Sequence, residues 1–571
     1  MKNQFVSEIL YKIADLLDLK GEIFFKTRAY RMAAQTIEVL DEDIENVVRE
    51  NRLQDIPGVG EALAKKIKEI VETGHSEYFE RLKKEIPEGL LSMLEISGLG
   101  PKKVAAMYQK LGIKTIDELK DACIEGKIRN LEGFGEITER NILRGIELMK
   151  KTSGRVLLNL AYEDGNNFIK FLKKCDKIDR LSVAGSLRRM KETIGDLDIL
   201  ASSDKPDDVM DYFVKYDVIQ EVLMKGSTKT SVLLKDDIQV DLRVVKDESF
   251  GAALQYFTGS KEHNVNLRGI AIKKGFKLNE YGLFDKENDK FIVGKNEDEI
   301  YKKLGLSYIE PEIRENRGEI EASSKNILPT LVKYDEIKGD LHIHSNYSDG
   351  LESIETIANS CKKLGYEYIG IADHSQSLKV AKGLSEDKLI KKLDEIKKIN
   401  KKLKDFKILF GTECDIKSDG SLDYSNNILK MFDFVGIAIH TNFKMSQKEA
   451  TNRIMKGMDN EYVTFLAHPT CRIIRKREPF DLDIDKIFEK AIETNTYLEI
   501  NSFPDRLDLN DMHTKQAKDK GAKFVIGTDA HNLNHLAFIR FGIATARRGW
   551  LEKKDILNTN SLKDLEKILG C

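Results

Sequence analysis

Apolar residues recur at helical spacing through about the first 150 residues of the chain. Val6, Ile9, Ile13 and Leu16 follow one another at intervals of three and four residues, which places them on one face of a helix. The same spacing continues along most of this part of the chain. We therefore predict an N-terminal region that is almost wholly α-helical.

The pattern changes near residue 155, where short strand signals begin to alternate with helical ones. Segments 180–185, 197–201 and 238–245 read as strands, and the polar stretch around 312–335 reads as a linker. Seven further strand signals lie near 338–345, 366–372, 407–413, 432–439, 464–467, 497–502 and 523–528. Their alternation with helices predicts a parallel β/α barrel one unit short of eight.

Length, charge and cysteine content limit the class of protein. A chain of 571 residues is long enough for about three or four domains. The 93 basic and 95 acidic residues nearly cancel, so net charge indicates no partner. The six cysteines form no C-x-x-C pair, which favours a reduced, cytoplasmic chain. Without a signal-peptide core or an apolar run of about 18 residues, we expect no membrane partner.

Three similar pentapeptides occur in the helical region, each before an amphipathic helix: I-P-G-V-G (56–60), I-S-G-L-G (96–100) and L-E-G-F-G (131–135). The repeat resembles the helix-hairpin-helix motif. Its glycines let backbone N–H groups at a helix N-terminus approach a DNA phosphate. We predict such contacts at Gly58, Gly60, Gly98, Gly100, Gly133 and Gly135. The alternative is ordinary helix-turn packing, in which the glycines only end helices.

Paired carboxylates mark a second kind of chemistry. In D-L-D, Asp196 and Asp198 share one face of a strand, and Asp241 lies on a later strand in V-D-L-R. Three carboxylates on adjacent strands can hold two Mg²⁺ ions for nucleotidyl transfer. Donors for phosphate oxygens precede them at Gly185, Ser186 and Arg189. A D-x-D pair alone would more often be a solvated strand edge.

Together, G-S-L-R-R, G-D-L-D, V-D-L-R and Y-F-T-G-S resemble the palm of family X DNA polymerases, the group that includes polymerase beta. Y-F-T-G-S separates this family from other nucleotidyltransferases. The resemblance implies that Tyr256, Phe257 and Gly259 line the sugar pocket, Lys261 and Asn264 contact the incoming nucleotide, and Arg268 contacts the template strand. Lys261 stands where the vertebrate enzyme has an aspartate, so we expect it to strengthen nucleotide binding.

R-A-Y-R-M-A-A (28–34) and the segment that follows I-P-G-V-G are similar to the small lyase domain of polymerase beta. Lys66 matches its Schiff-base lysine, and Lys26 matches a phosphate-binding lysine. Ala62 and Tyr78 replace basic residues that help to bind the 5′-phosphate. We therefore expect Lys66 to contact DNA and to form little or no Schiff base.

Histidine is concentrated at the end of the chain, where eight of the ten histidines follow residue 339. In H-I-H, His342 and His344 point to the same side of a strand, and the turn N-Y-S-D-G lets Asp349 approach them. Further ligand-type residues follow later strands at His374, Glu413, His440, His468, Asp529 and His531. Such nitrogen and oxygen ligands suit two or three Mn²⁺ or Zn²⁺ ions. The alternative is a set of structural histidines.

This ligand set resembles the PHP phosphoesterase domain, and segment 501–511 resembles the PHP domain fused to bacterial and archaeal family X polymerases. In the metal site of such a PHP domain, Arg506 would bind a phosphate group. We expect a multidomain chain with a helical lyase-like DNA-binding domain (1–88), helical fingers (89–152), an α+β palm (153–248), a thumb (249–315), a linker (316–334) and a distorted (β/α)7 PHP barrel (335–571).

The resemblance implies a DNA-directed DNA polymerase that fills short gaps during base excision repair, with a 3′–5′ exonuclease in the PHP domain. Its substrates would be gapped or primer-template DNA and deoxynucleoside triphosphates, and we expect a monomer. One alternative is a PHP phosphatase of a small metabolite, tethered by the front half. Another is a non-catalytic repair scaffold, whose signature would be missing ligands.

Overall fold

The computed structural model describes residues 2–22, 24–38, 40, 42–94, 96, 99–152, 154–235 and 237–570. The chain divides into two compact units, one of residues 1–153 with 473–478 and one of residues 154–472 with 479–571. No helix in the described ranges is long and apolar enough to cross a membrane.

The first unit confirms the helical prediction. Its helices are α1 (Lys2–Leu19), α2 (Phe24–Glu38), α3 (Ile44–Arg49), α4 (Glu61–Thr73), α5 (Glu77–Glu85), α6 (Glu88–Leu94), α7 (Pro101–Leu111), α8 (Ile116–Ile124) and α9 (Glu136–Thr152). Val6, Leu10 and Ile13 of α1 are fully buried in a core that also contains Ile67 of α4 and Val104 of α7. The apolar spacing in the sequence thus marks the buried helix faces.

The region predicted as the palm is built on a five-stranded sheet. Its elements are β1 (Val156–Leu157), α10 (Leu158–Leu172), β2 (Arg180–Val183), α11 (Gly185–Arg188), β3 (Thr193–Ile194), β4 (Asp196–Ser202), α12 (Pro206–Phe213), β5 (Ile219–Lys225), β6 (Lys229–Leu234) and β7 (Gln239–Val245). The strand order is β2-β4-β7-β6-β5, and the β4–β7 pair is parallel while its neighbours are antiparallel. The carboxylate strands β4 and β7 are therefore adjacent at the centre of the sheet.

The region predicted as the thumb follows with α13 (Phe250–Thr258), α14 (Lys261–Lys273), β8 (Phe276–Asn279), β9 (Gly282–Asp285), β10 (Phe291–Val293) and α15 (Glu297–Lys303). Strands β8, β9 and β10 form an antiparallel sheet in the order β10-β9-β8.

The segment predicted as a polar linker is packed against the protein. It contains α16 (Glu319–Ser324), in which Glu319 is fully buried. Glu319 Oε1 lies 2.6 Å from His263 Nδ1 of α14. The backbone N–H groups of Asn316 and Arg317 also donate hydrogen bonds to the Glu319 carboxylate. Because His263 and these two groups supply its hydrogen bonds, the carboxylate can be buried although the segment is polar. The proposed domain boundaries stay a prediction.

A nearly closed barrel of seven parallel strands forms the last region, as predicted. Its elements are β11 (Gly339–Ile343), α17 (Ile354–Lys363), β12 (Tyr368–Ile371), α18 (Glu386–Asn400), β13 (Lys407–Asp415), α19 (Asn426–Leu429), β14 (Phe434–Ala438), α20 (Gln447–Met458), β15 (Phe465–Leu466), α21 (Ile484–Glu493), β16 (Tyr497–Asn501), α22 (Asp511–Lys520), β17 (Phe524–Gly527), α23 (Ile539–Arg548) and α24 (Leu562–Leu569). A bridge between Ile343 and Ala530 brings the end of β11 to the segment after β17. The predicted ligands at the strand ends therefore face a common centre.

Candidate active sites

The glycine turns of the helical unit are open at the surface. Gly60 and Gly100 are the N-caps of α4 and α7, and a Cβ atom at either position would meet nothing within 4 Å. The free backbone leaves room for a phosphate at each helix N-terminus. Of the other predicted contacts, Gly58 and Gly133 have φ angles of +86° and +80°, Gly135 directly precedes α9, and Gly98 lies outside the described residues.

Lys66 rests against an aromatic ring. Its Nζ lies 4.8 Å from the centre of the Tyr78 ring, which stacks on Tyr30, and donates to the carbonyl of Ala62 at 3.3 Å. Burial lowers the pKa of Lys66, and the nearby charge of Lys26 adds to this effect. A lowered pKa favours the free amine that a Schiff base requires, whereas Ala62 and Tyr78 add no positive charge for a 5′-phosphate. The role of Lys66 stays a prediction.

Strands β4 and β7 bring the three aspartates together. Asp198 of β4 is the direct register partner of Asp241 of β7, and Asp196 lies two residues earlier on the same face. Leu197 and Ile199, on the opposite face, are buried. The strand alternation thus separates a carboxylate face from a core face, as predicted.

Mutual repulsion and burial set the charge state of these aspartates. Burial, together with the charges of Asp196 and Asp241, raises the pKa of Asp198 to about 7. Burial alone would also raise the pKa of Asp241, but hydrogen bonds from Lys229, Gln239 and Ser231 hold it below its usual value. Lys229 Nζ lies 2.6 Å from Asp241 Oδ2. The crowded carboxylates fit divalent cations, which would relieve their repulsion.

The predicted nucleotide-binding residues line one open cleft of about 430 Å³. The cleft contains Gly185, Ser186, Arg189, Tyr256, Phe257, Gly259, Lys261 and Asn264, together with Arg268, Asp196 and Asp198. Asp241, the register partner of Asp198, is 6% exposed and does not line the cleft. The structure therefore brings residues 185–198 and 256–268 of the sequence to a single site.

Hydrogen bonds hold two of these side chains in place. Asn264 Nδ2 donates to the carbonyl of Tyr256 at 2.7 Å, and its Oδ1 accepts from Gln255. Arg189 donates from Nε to Glu315 at 3.0 Å and from Nη1 to the carbonyl of Thr258. Asn264 and Arg189, on two parts of the cleft, are thus both tied to the segment 255–258.

The barrel collects the predicted histidine-site ligands into three overlapping groups. In each group the potential ligand atoms lie within 4.8 Å of one another. The groups are His344, Asp349, His374 and His531; His342, His344 and Asp529; and His374, Glu413 and His440. His468 stands outside them, with Nε2 2.7 Å from Glu413 Oε1. All nine predicted residues are therefore in one cluster.

Several buried atoms of this cluster have no hydrogen-bond partner within the part of the chain described. They are both ring nitrogens of His344, Nε2 of His342, Nδ1 of His374 and Oε2 of Glu413. Burial and the neighbouring His531 and His374 lower the pKa of His344 to about 4, so this imidazole is neutral. A buried polar atom without a hydrogen-bond or metal partner lowers the stability of the fold. The unpartnered nitrogen and oxygen atoms therefore fit bound divalent metals.

A second layer of carboxylates orients the histidines, and the sequence analysis missed it. Glu499 Oε1 lies 2.6 Å from His342 Nδ1, and Asp415 Oδ1 lies 3.1 Å from His440 Nδ1. These contacts turn the opposite ring nitrogens towards Glu413. Glu499 lies in the middle of β16, in E-I-N, and its place on a barrel strand was the available signal.

Arg506 lies beside the cluster. Its Nε is 3.6 Å from Asp529 Oδ2, and its backbone N–H donates to the carbonyl of Phe503 at 2.8 Å. Asp529 also accepts from Asn501 Nδ2 at 3.1 Å. A guanidinium at this position can bind a phosphate oxygen next to the ligand cluster. Its catalytic role stays a prediction, as do the ligand assignments.

Family models match most of the chain. Residues 1–76 match the helix-hairpin-helix domain, and residues 90–147 match the SAM-like helix-hairpin-helix tandem. Residues 253–315 match the DNA polymerase beta thumb, and residues 340–503 match the PHP domain. The fold and the two sites thus define a polymerase of the polymerase beta type joined to a PHP phosphoesterase domain.

Similarity to one relative extends along the whole chain. The "DNA polymerase/3'-5' exonuclease PolX" of Bacillus subtilis (strain 168) is 39% identical over 571 residues, which are 100% of this chain and 99% of that protein. This chain belongs to the same family, the family X DNA polymerases that carry a PHP domain. "DNA polymerase lambda" of Rattus norvegicus is 25% identical over 349 residues, 55% of this chain and 56% of that protein. A "Probable phosphatase" of Thermoanaerobacter sp. (strain X514) is 27% identical over 232 residues, 39% of this chain and 90% of that protein.

Proposed function

We propose that this chain fills short gaps in DNA at the carboxylate site and removes nucleotides from 3′ ends at the histidine site. One observation carries the proposal: two complete and different ligand sets lie on separate sheets of one chain. A scaffold would have lost ligands, and a tethered metabolite phosphatase would not need the intact cleft of residues 185–268. The pathway we propose is base excision repair.

At the carboxylate site, Asp196, Asp198 and Asp241 would hold two Mg²⁺ ions. Such ions lower the pKa of the attacking 3′-hydroxyl and stabilise the charge of the leaving phosphates. The register of β4 and β7 keeps Asp198 and Asp241 side by side, so both can reach the primer end. Ser186, Arg189 and the backbone of Gly185 bind the triphosphate, since they line the same cleft.

The other wall of the cleft selects the nucleotide. The rings of Tyr256 and Phe257 meet edge to face with centres 5.1 Å apart, and Asn264 fixes the Tyr256 backbone. This wall would stand against the sugar and exclude a 2′-hydroxyl. Lys261 begins α14 at the cleft and adds positive charge for the triphosphate. Arg268 lies about two helical turns further along the same face and would contact the template strand.

At the histidine site, the nine clustered residues would hold two or three Mn²⁺ or Zn²⁺ ions. Bound ions of this type activate water for phosphodiester hydrolysis at neutral pH. Glu499 and Asp415 keep the imidazoles in the tautomer and orientation needed for binding. Arg506 holds the scissile phosphate by charge-assisted hydrogen bonds from beside Asp529.

Further parts of the proposal concern DNA binding, the cellular environment and the oligomeric state of the protein. The exposed glycine turns at α4, α7 and α9 bind gapped or primer-template DNA through its phosphates.

The five cysteines among the described residues are free and buried, which suits a reducing, cytoplasmic environment. We propose a monomer, because one chain contains both ligand sets.

A single duplex with a one-nucleotide gap and a 5′-labelled primer tests the proposal. With nucleotides and Mg²⁺ the primer should lengthen by one residue, and without nucleotides in Mn²⁺ it should shorten. Asp241→Ala should lose lengthening by orders of magnitude, because one of three carboxylates is gone. Asp217→Ala, an exposed aspartate of the palm, is the matched control and should behave as the parent. Gap filling by Asp241→Ala at the parent rate would contradict the site assignment.

A further inference from the structure

A second cavity lies beside the nucleotide cleft, where the palm meets the PHP barrel; we call it the seam cavity. Its volume is about 340 Å³. Arg155 and Lys191 line both the seam cavity and the nucleotide cleft, so the two spaces meet at these side chains. Arg155 Nη1 lies 3.1 Å from the position that a Cβ atom of Gly195 would take, directly before Asp196. The seam cavity therefore begins next to the carboxylate site.

Positive charge dominates the lining of the seam cavity. Its four cationic residues are Arg155, Lys191, Arg317 and Arg548, and its two carboxylates are Glu192 and Asp511. Both carboxylates are already paired. Asp511 Oδ2 accepts from Arg548 at 2.6 Å and from Arg317 at 3.0 Å, and Glu192 Oε2 accepts from Arg472 at 2.7 Å. The cavity is thus left with an excess of cations.

Lys191 is the cation with the fewest partners. No carboxylate of the described residues forms an ion pair with its ammonium group, although the residue is only partly exposed. Burial lowers the pKa of Lys191, and the more distant charge of Glu315 offsets this only in part. A partly buried ammonium group without a paired carboxylate is stabilised when an anion binds beside it.

A chain of alternating charges holds the walls of the cavity together. Glu315 Oε1 accepts from Arg189 Nε of the nucleotide cleft and from Arg548 Nη1 of the barrel, each at 3.0 Å. Arg548 is 4% exposed and continues the chain to Asp511 and Arg317. The PHP barrel thus contributes directly to the surroundings of Arg189, and ion pairs connect the walls of the cavity.

We propose that the seam cavity binds inorganic pyrophosphate, the leaving group of nucleotidyl transfer; the proposal rests on the proposed polymerase function. In that reaction the primer 3′-hydroxyl loses its proton to solvent, and the bond from the 3′-oxygen to the α-phosphorus forms. The bond from the α-phosphorus to the bridging oxygen breaks, and its electron pair leaves with pyrophosphate. An arginine guanidinium group can donate two parallel hydrogen bonds to phosphate oxygens, and a lysine adds a point charge. Pyrophosphate that moves away from Asp196 and Asp198 would pass Arg155 and Lys191, which line both spaces. It would thus contact positively charged groups along the whole path into the seam cavity.

Equilibrium dialysis of the full-length protein against labelled inorganic pyrophosphate tests this site without DNA, nucleotide or free divalent metal. Lys191→Met and Arg317→Gln should each weaken binding about tenfold, because each removes a charge-assisted contact. Lys191→Arg keeps the charge and should bind like the parent. Lys170→Met, an exposed lysine on α10 of the palm, is the matched control and should also bind like the parent. Failure of the parent to bind pyrophosphate, or binding as tight as the parent's in both Lys191→Met and Arg317→Gln, overturns the proposal.

Two further measurements are made. The first distinguishes pyrophosphate from the triphosphate tail of a nucleotide as the bound anion, and the second distinguishes failure of the seam-site proposal from failure of the polymerase proposal. Deoxynucleoside triphosphate is dialysed against the same proteins, and Lys191→Met and Arg317→Gln should weaken its binding less than they weaken pyrophosphate binding. Equal weakening would assign the seam cavity to the triphosphate tail and overturn the leaving-group proposal. Gap filling is assayed on the same preparations. Its absence alongside intact pyrophosphate binding would contradict the polymerase proposal and leave the seam site standing as an anion site.

Discussion

Gly185 and Asp198 lie so close that a Cβ atom at position 185 would stand 2.2 Å from Asp198 Oδ2. Gly185 also has a φ of +59°, a conformation that side chains with a Cβ atom rarely adopt. The glycine before Ser186 therefore has a structural role besides the phosphate contact that we propose for its backbone. It makes room for the central carboxylate of the polymerase site.

The first prediction follows from this contact. Gly185→Ala should displace Asp198 and reduce gap filling about 100-fold, since small displacements of catalytic groups have effects of this size. Exonuclease activity should persist, because its ligands lie on another sheet. Single-nucleotide extension and 3′-end degradation are measured on one preparation. Gly269→Ala, where a Cβ atom would meet nothing within 4 Å, is the control. Full gap filling by Gly185→Ala would show that Asp198 tolerates the displacement.

The second prediction concerns pH. Because burial and the charges of Asp196 and Asp241 raise the pKa of Asp198 to about 7, this carboxyl is increasingly protonated below that pH. Metal binding requires the carboxylate, so protons compete with Mg²⁺. The Mg²⁺ concentration for half-maximal gap filling should rise as pH falls below about 7, approaching about tenfold per pH unit. It should change little above about pH 8. Mg²⁺ titrations at several pH values check this, and a flat requirement across the range would contradict it.

The third prediction concerns the layer behind the histidines. Glu499→Gln weakens the contact at 2.6 Å that orients His342, so the apparent affinity for Mn²⁺ in exonuclease assays should fall about 10- to 100-fold. Gap filling should be unchanged. Glu489→Gln, on the exposed side of α21, is the control. Parent-like Mn²⁺ dependence in Glu499→Gln would mean that His342 is held by other contacts.

The fourth prediction concerns Lys66 and lyase chemistry. With Ala62 and Tyr78 at positions where basic side chains would bind a 5′-phosphate, borohydride should trap little protein on DNA that carries a 5′-deoxyribose phosphate. Lys66→Ala should weaken binding to gapped DNA instead. A strong adduct that depends on Lys66 would show that the lowered pKa of Lys66 outweighs the missing positive charges.

Residues whose role depends on local periodicity could be predicted from the sequence. Asp196 and Asp198, like His342 and His344, are two residues apart on a strand, so alternation alone puts each pair on one face. The strands β2, β4 and β7 and the seven barrel strands were also found in this way. The apolar residues of the barrel strands fill a core that local patterns mark well.

Residues whose role depends on distant partners were missed. Lys229 is defined by its contact with Asp241, and Glu499 by its contact with His342, 157 positions away. Arg155 and Lys191 follow no motif and became visible only where two cavities meet. The polar segment 316–334 read as a linker because the burial of Glu319 depends on His263. Spacing along a chain contains no information about pairings of this kind.

Paired activity assays on His344→Ala and Asp198→Ala test most directly whether the chain contains two separate catalytic sites. Both variants and the parent are given a gapped duplex, with release of nucleotides from a labelled 3′ end and extension by one nucleotide as the two readouts. His344→Ala should lose 3′-end degradation, which Mn²⁺ supports best in the parent because histidine-rich ligation disfavours Mg²⁺, and should keep gap filling. Asp198→Ala should show the reverse. Normal degradation by His344→Ala, or loss of both activities in either folded variant, would contradict the two-site assignment.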